Sequence, residues 1–273
     1  MKATSKNRSI LLLGPTGTGK SSFIRQMLDH YGSGAIALAP GVDEKNSYGH
    51  LLENPAYVFE GFEEESFQPY MNVWEVNAMK DAITWLNGIR DLVKADVAAG
   101  QEPRYKVLAI DTASAMARYA VNVTMAQLRM KQPPAAKSPE GAAYYSVLKQ
   151  TQESLYRPIR AIYGYGVNVV AAAHVTENEN ISEAQVAEKS AKVILPDVPG
   201  GFKTVLPSFF DAVLHTQIVR SPQGVKHILQ WKPDMKRPTK SRLGDLGEGS
   251  TIPNDFNEFL RRVEAAEEKR ANG

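Results

Sequence analysis

The residues best suited to chemistry lie near the amino terminus, in the run Gly14-Pro15-Thr16-Gly17-Thr18-Gly19-Lys20-Ser21. Its glycines allow a tight turn whose backbone N–H groups point at phosphate oxygens, while the Lys20 ammonium reaches the β- and γ-phosphates. The Ser21 hydroxyl suits Mg²⁺, and a helix starting beside Gly19 directs its positive end at the anion. We therefore predict that residues 14–21, with the adjacent Ser22, bind a nucleoside triphosphate such as ATP together with Mg²⁺.

A second candidate site residue, Asp111, ends the apolar run Val107–Ile110. In phosphate-loop NTPases an acid at the end of a neighbouring strand holds Mg²⁺, directly or through water. We therefore assign Asp111 to the metal together with Ser21. The next residue is Thr112, where many AAA+ motors carry a catalytic Glu, so the carboxylate that activates water must lie elsewhere. An Asp followed by a small hydroxyl residue resembles the RecA-type recombinase core.

That resemblance implies a glutamate base near the end of the strand that follows the first helix. Two residues fit the position: Glu44 follows the apolar run Ala35–Ala39, and Glu60 follows the strand-like Tyr57-Val58-Phe59. The sequence favours Glu44 slightly. The alternative for each is an acid in a solvated loop.

His174 ends another apolar run, Val169–Ala173. RecA-type ATPases place a polar residue here, usually Gln, that senses the γ-phosphate, and the resemblance implies the same role for His174. Histidine departs from that pattern, although its ring also donates a hydrogen bond. The alternative is a histidine that only caps its strand.

The elements that must position these residues alternate between strand and helix. Apolar runs predict strands at 10–13, 35–39, 106–110 and 167–172, and helical spacing predicts helices at 19–30, 77–100, 113–129 and 142–163. Two closing strands follow at 209–219 and 225–231, and an amphipathic helix ends the chain. The pattern predicts an α/β, RecA-like P-loop NTPase fold: a mostly parallel central sheet flanked by helices, with C-terminal closing strands. We assign residues 1–245 to this ATPase domain and residues 246–273 to a tail.

The amino-acid composition excludes several kinds of site and of cellular location. The chain has 273 residues, a formal net charge of +2 and no cysteine, which excludes disulfides and thiolate metal sites. Its polar opening leaves no room for a secretory signal, and no apolar stretch is long enough to cross a membrane. We therefore expect a cytoplasmic protein. With so small a net charge, any affinity for nucleic acid must come from local basic clusters.

Over roughly residues 8–245 the chain resembles phage-encoded P-loop proteins with a minimal RecA core, a family that includes ATP-dependent single-strand annealing proteins. The resemblance rests on four segments: Gly14–Ser21, Ala109–Thr112, Ala171–His174, and Lys236–Arg242 followed by Leu243-Gly244. It implies a DNA-stimulated ATPase that assembles on single-stranded DNA and promotes annealing in recombination, in the host cytoplasm if the chain is phage-encoded. The implied partners are DNA, further copies of the chain in a ring or filament, and a single-strand DNA-binding protein.

The resemblance also implies roles for the basic residues. In RecA-like assemblies, basic residues at the last strand reach the neighbouring subunit's γ-phosphate, which points to Lys240 and Arg242, with Lys232 behind them; a solvated basic loop is the alternative. Two loops face the expected path of DNA, and mobile surface loops are the alternative there. Their basic residues are Arg129, Lys131 and Lys137 in the first loop and Lys189, Lys192 and Lys203 in the second. Aromatic residues that could stack on bases are few there: Tyr144 and Tyr145 border the first loop, and Phe202 lies in the second.

Two other functions fit the nucleotide motif. A DNA-packaging or helicase-loading ATPase would share the site but prefer duplex DNA or a protein partner. A small-molecule kinase would use residues 129–141 as a lid and would need neither DNA nor neighbouring subunits. The basic run after the last strand favours a DNA-dependent ATPase over the kinase, but separates it poorly from the packaging or loading motor.

Overall fold

The computed structural model describes residues 7–38, 76–135, 137–178, 193–222, 224–234 and 236–272. The strands are β1 (Ser9–Leu13), β2 (Ala35–Leu38), β3 (Val107–Asp111), β4 (Asn168–Ala173), β5 (Val175–Asn178), β6 (Val193–Pro196), β7 (Ala212–Ser221), β8 (Gly224–Gln230), β9 (Lys240–Ser241) and β10 (Thr251–Pro253). The α-helices are α1 (Lys20–Tyr31), α2 (Val76–Ala98), α3 (Ala113–Gln127), α4 (Pro139–Gly164), α5 (Phe202–Val205) and α6 (Phe256–Asn272). Short 3₁₀ turns occupy Gly32–Gly34 and Leu206–Phe209.

The central sheet is mostly parallel. Its order is β10-β8-β7-β1-β4-β3-β2, with β9 paired to β7. The five strands from β7 to β2 run parallel, whereas β8, β9 and β10 add antiparallel pairs. This confirms the predicted α/β class, with a mostly parallel sheet and closing strands near the C-terminus. Strands β5 and β6 form a separate antiparallel pair.

Each face of the sheet carries its own hydrophobic core, because successive strand side chains point to opposite faces. Leu11 and Leu13 of β1 face one core with side chains of α2, α3 and α4. Ile10 and Leu12 face the other core, which contains Phe23 of α1. The sheet is thus covered by helices on both sides, as a buried parallel sheet requires.

The tail packs on the second of these cores. Phe256 and Phe259 of α6 each lie 5.5 Å from the Phe23 ring, edge to face. Both side chains are buried, so the amphipathic helix predicted at the end of the chain is present and its apolar face is covered. The division of the chain at residue 245 stays a prediction.

The start of α4 shows why one helix boundary differs from the prediction. The helix begins at Pro139, three residues before the predicted start, because Ser138 caps it: the Ser138 hydroxyl accepts a hydrogen bond from the Gly141 N–H. Proline is favourable at the first helical position, where its missing N–H is not needed. Helix α3 is capped in the same way by the Thr112 hydroxyl.

Candidate nucleotide site

The phosphate loop joins β1 to α1, as predicted. Gly19 sits immediately before α1 with φ 96°, a left-handed conformation that glycine adopts without strain. Gly14 needs to be glycine for a different reason: a Cβ added there would lie 2.1 Å from Thr216 Oγ1 of β7. The loop is therefore shaped by its own backbone and by the strand beside it.

Strand register brings Asp111 to the same edge of the sheet as the loop. Leu13 at the end of β1 pairs with Ala173, and Asp111 at the end of β3 pairs with Ala172. The Ser21 hydroxyl donates a 2.6 Å hydrogen bond to Asp111 Oδ2. A hydroxyl and a carboxylate this close together can bind one hard cation, so these two residues fit the predicted Mg²⁺ site.

Lys20 is the buried cation of the site. Its side chain lies beneath the loop, and its ammonium donates hydrogen bonds of 2.8 Å to the backbone oxygens of Gly14 and Pro15. The loop thus holds a positive charge at the place where phosphate oxygens are expected. The arrangement fits a triphosphate.

A cavity of about 310 Å³ opens beside these groups. It is lined by phosphate-loop residues, by Asp111 and Thr112, and by His174 and His227. The structure therefore brings together the loop, the predicted metal ligands and the predicted sensor. Of the four lining residues outside the loop, only His227 had no signal in the sequence.

A hydrogen bond anchors the His174 backbone, and the surroundings of its ring change the pKa of the imidazole. Its N–H donates to the Ser114 hydroxyl at 3.0 Å, which fixes the end of β4 against α3. Burial lowers the pKa of the imidazole, and the positive charge of Lys20 lowers it further, whereas Asp111 acts in the opposite direction. The ring is therefore neutral near pH 7 and presents one N–H donor toward the cavity.

Two residues missed by sequence analysis hold the phosphate loop from its other side. His227 Nδ1 of β8 lies 3.1 Å from the Thr18 backbone oxygen, so this nitrogen carries the proton. Asn254, just after β10, donates from Nδ2 to the Gly19 oxygen at 3.0 Å. Neither residue belongs to a local motif. Their proximity follows from the position of β8 beside β7, which a single sequence does not reveal.

The sequence matches the family model described as AAA domain over residues 6–243. The chain belongs to this AAA domain family. Membership in this family, together with the geometry of the site, identifies a P-loop ATPase domain. Such a domain implies nucleotide binding and ordinarily Mg²⁺ binding. No curated protein matches the sequence.

Two archaeal proteins are among the solved structures to which this chain shows some similarity. One is the flagellar accessory protein FlaH from Methanocaldococcus jannaschii, 12% identical, with 82% of this chain and 76% of that chain covered and a TM-score of 0.37. The other is the KaiC-like protein PH0186 from Pyrococcus horikoshii OT3, 15% identical, with coverage of 82% and 78% and a TM-score of 0.39. Within the described part of this AAA domain, no helix has the length and apolar character needed to span a bilayer.

The structure places Lys240 and Arg242 away from the domain's own nucleotide site. Lys240 pairs with Val213 near the amino end of β7, and its ammonium donates to the Phe210 backbone oxygen. Arg242 lies 3.5 Å from a carboxylate oxygen of Asp211 and is largely exposed. The phosphate loop contacts β7 at Thr216, further toward the carboxyl end of that strand, where the Thr18 and Thr216 hydroxyls lie 2.7 Å apart.

The residues near the predicted DNA path differ in their exposure. Arg129, Lys131 and Lys137 are exposed, and Lys203 is half-buried in α5. Tyr144 and Phe202, the aromatic residues beside these loops, are each only 1% exposed and pack into the core on one face of the sheet, so neither side chain can stack on bases. Outside the described residues lie Lys189, Lys192 and both candidate bases, Glu44 and Glu60.

Proposed function

We propose that this AAA-domain protein is a DNA-stimulated ATPase with a RecA-like core that assembles on single-stranded DNA and promotes annealing in recombination. One observation carries the nucleotide chemistry: the Ser21 hydroxyl lies 2.6 Å from Asp111 Oδ2, beside the buried Lys20. A cytoplasmic location, in the host if the chain is phage-encoded, belongs to the same proposal.

The residues of the site have separate tasks in this proposal. Ser21 and Asp111 hold Mg²⁺, which when bound neutralises charge on the β- and γ-phosphate oxygens. Lys20 exchanges the Gly14 and Pro15 carbonyls, its present acceptors, for phosphate oxygens. The backbone N–H groups at the start of α1 bind the same phosphates. His174 offers a neutral N–H donor at the end of β4.

The proton from the attacking water needs a base. Glu44 and Glu60 remain the candidates, with Glu44 preferred. Glutamine at either position keeps the side-chain size while removing the carboxylate. Turnover lost in only one of Glu44→Gln and Glu60→Gln identifies the base, and turnover intact in both excludes the pair.

The contacts between the two loop regions support the proposed DNA interface. A Cβ added at Gly200 would lie 3.1 Å from the Tyr145 ring, and Gln152 donates to the Pro199 backbone oxygen at 3.4 Å. Helix α4, which follows the first loop, therefore packs against residues 199–200 near the end of the second loop. Arg129, Lys131 and Lys137 would contact the phosphates of the strand, with Lys189, Lys192 and Lys203 from the second region.

The position of Lys240 and Arg242 supports a shared active site. They lie toward the amino end of β7, whereas the phosphate loop lies at the carboxyl end of β1. In a head-to-tail assembly, one edge of a subunit meets a different edge of the next, and repetition closes a ring or extends a filament. We propose that these two residues reach the neighbour's γ-phosphate, where such fingers contribute about 10³–10⁵ in rate.

The experiment that tests this function measures ATP hydrolysis against protein concentration with single-stranded DNA, with duplex DNA and without DNA. The proposal predicts stimulation by the single strand and a specific activity that rises steeply with concentration. Lys20→Ala is the inactive control. Stimulation by duplex alone would indicate a packaging or loading motor instead, and DNA-independent phosphorylation of an acceptor would indicate a kinase.

A further inference from the structure

The hairpin of β7 and β8 extends past the strands beside it, next to the phosphate loop. The pairing with β1 ends at His215 of β7, and the pairing with β10 ends at Ile228 of β8. Among the residues that the structure describes, four large apolar side chains are exposed, and three of them belong to this hairpin: Ile218 (37%), Val219 (42%) and Val225 (59%). Apolar side chains grouped on one exposed element are typical of a surface that a ligand or partner covers.

The strand register shows which of these side chains face the phosphate loop. Thr216 faces it, because the Thr216 hydroxyl lies 2.7 Å from the Thr18 hydroxyl. Ile218 lies two residues further along β7 and therefore shares that face. Residues directly opposite in an antiparallel pair also share a face, and His227 is opposite Ile218. By the same rules, the loop-side face of the hairpin carries Ile218, Arg220, Val225 and His227.

His227 makes this face continuous with the nucleotide site. The residue lines the cavity of about 310 Å³ beside the phosphate loop. Its Nδ1 lies 3.1 Å from the Thr18 backbone oxygen, and a Cβ added at Gly19 would lie 3.3 Å from the same nitrogen. The ring therefore contacts the loop through Nδ1, while the residue as a whole stays exposed.

The order of the strands indicates where the two ends of a bound nucleotide lie. Asp111 and His174, the predicted metal ligand and γ-phosphate sensor, lie at the ends of β3 and β4. These strands are on one side of β1, whereas β7 and β8 are on the other. A triphosphate that crosses the loop with its γ-phosphate beside Asp111 and His174 has its nucleoside end toward β7 and β8.

We propose that the loop-side face of the β7–β8 hairpin binds the base of the nucleotide. The base lies against the His227 ring and the side chains of Ile218 and Val225, and so covers apolar surface that is otherwise exposed. An aromatic ring stacks on any base, because every base has a π-face. Arg220 places a planar guanidinium, which also stacks on aromatic rings, at the outer end of the same face. This inference rests on the nucleotide binding of the proposed function and adds a site for the base.

The test compares ATP with ribose 5-triphosphate, which carries the same triphosphate but lacks the base. Calorimetry on the full chain with Mg²⁺ should give ATP an affinity about tenfold or more above that of ribose 5-triphosphate, as expected for stacking of one base. His227→Asn places an amide donor near the Thr18 oxygen but removes the ring, and it should lose most of this preference. Ile218→Asn should reduce the preference severalfold.

Val219→Asn is the matched control, because Val219 is similarly exposed in the same hairpin but points to the opposite face. This variant should keep the native preference for ATP. An equal loss in Val219→Asn, or an unchanged preference in both His227→Asn and Ile218→Asn, would overturn the proposal. A change of oligomeric state in Ile218→Asn, seen by analytical ultracentrifugation without any change of preference, would overturn it in favour of a contact with a second copy of the chain.

The two probes also separate this inference from the function on which it rests. Equal affinities of native protein for ATP and ribose 5-triphosphate would overturn the base site and leave triphosphate binding at the loop intact. Failure of native protein to bind either probe would overturn the proposed function, and the base site with it.

Discussion

Asn254 donates a hydrogen bond from Nδ2 to the backbone oxygen of Gly19, 3.0 Å away. This contact joins a residue of the tail, two positions before α6, to the residue immediately before α1. A Cβ added at Gly19 would lie 2.3 Å from Asn254 Nδ2, so the approach is as close as glycine allows. The C-terminal segment therefore supports the phosphate loop directly.

Removing this support should weaken the nucleotide site. Asn254→Ala leaves the Gly19 oxygen without its side-chain donor, and a lost hydrogen bond of this kind costs about 1 kcal/mol. We expect about fivefold to tenfold weaker ATP binding by calorimetry, with the fold retained. Asn87→Ala, which removes only a contact to Arg90 on α2, is the matched control and should leave ATP affinity unchanged. Equal effects of the two substitutions would contradict this role.

Gly14 should tolerate no side chain. Gly14→Ala would drive a methyl group into Thr216 and Thr18, and overpacking of this kind typically costs about 1–3 kcal/mol. Urea unfolding should show that loss of stability, together with loss of ATP binding. Gly88→Ala offers the opposite case because nothing lies within 4 Å of its added Cβ within α2. It should stabilise the protein by about 0.5–1 kcal/mol.

A gain of stability in Gly14→Ala would show that the loop does not lie against β7 as described. The Gly88→Ala variant controls for a general effect of replacing glycine, since both substitutions add the same single methyl group.

The histidine pair near the site also illustrates what a sequence can reveal. His174 was predictable because it ends an apolar strand, and strand ends in a parallel sheet share one edge. The same rule placed Asp111 beside the loop. His227 and Asn254 were not predictable, because they reach Thr18 and Gly19 only through long-range pairing of β8 and β10.

The sequence also did not show how two aromatic residues near the loops are oriented. Tyr144 and Phe202 lie in or beside polar segments. Both side chains are buried, since α4 and α5 turn them toward the core that covers one face of the sheet. Local polarity predicts the path of the backbone near a loop better than the direction of each side chain.

His215 should make stability depend on pH. It is buried in β7 and its Nε2 lies 3.2 Å from the Pro238 oxygen. Burial lowers its pKa to about 4, although the Pro238 carbonyl acts in the opposite direction. Because the unfolded chain binds this proton near pH 6.5 and the folded chain only near 4, stability is full above about 6.5 and falls as the pH drops.

The expected loss from this residue reaches roughly 3 kcal/mol by about pH 4. Urea unfolding across this range should show a shallower pH dependence in His215→Gln than in native protein. His30→Gln, which changes an exposed histidine, is the control and should keep the native slope. A slope unchanged by the His215 substitution would mean that the buried imidazole does not stay neutral in the folded protein.

The proposed shared active site predicts complementation between two inactive variants. Lys240→Ala/Arg242→Ala subunits keep an intact phosphate loop, and Lys20→Ala subunits keep intact basic residues. Mixing them should restore part of the single-strand-stimulated ATPase activity, because some interfaces then combine an intact loop with intact fingers. Full activity of the double variant alone would rule out these two residues as fingers.

The central prediction is that the protein binds a magnesium-chelated triphosphate at Lys20, Ser21 and Asp111. The decisive measurement is calorimetric titration of ATP, and in parallel GTP, into purified protein with and without Mg²⁺. We predict saturable binding that Mg²⁺ strengthens, a loss of at least about tenfold in affinity for Lys20→Ala, and loss of the Mg²⁺ effect and of hydrolysis in Asp111→Ala. Absence of any heat of binding for either nucleotide would contradict the central claim.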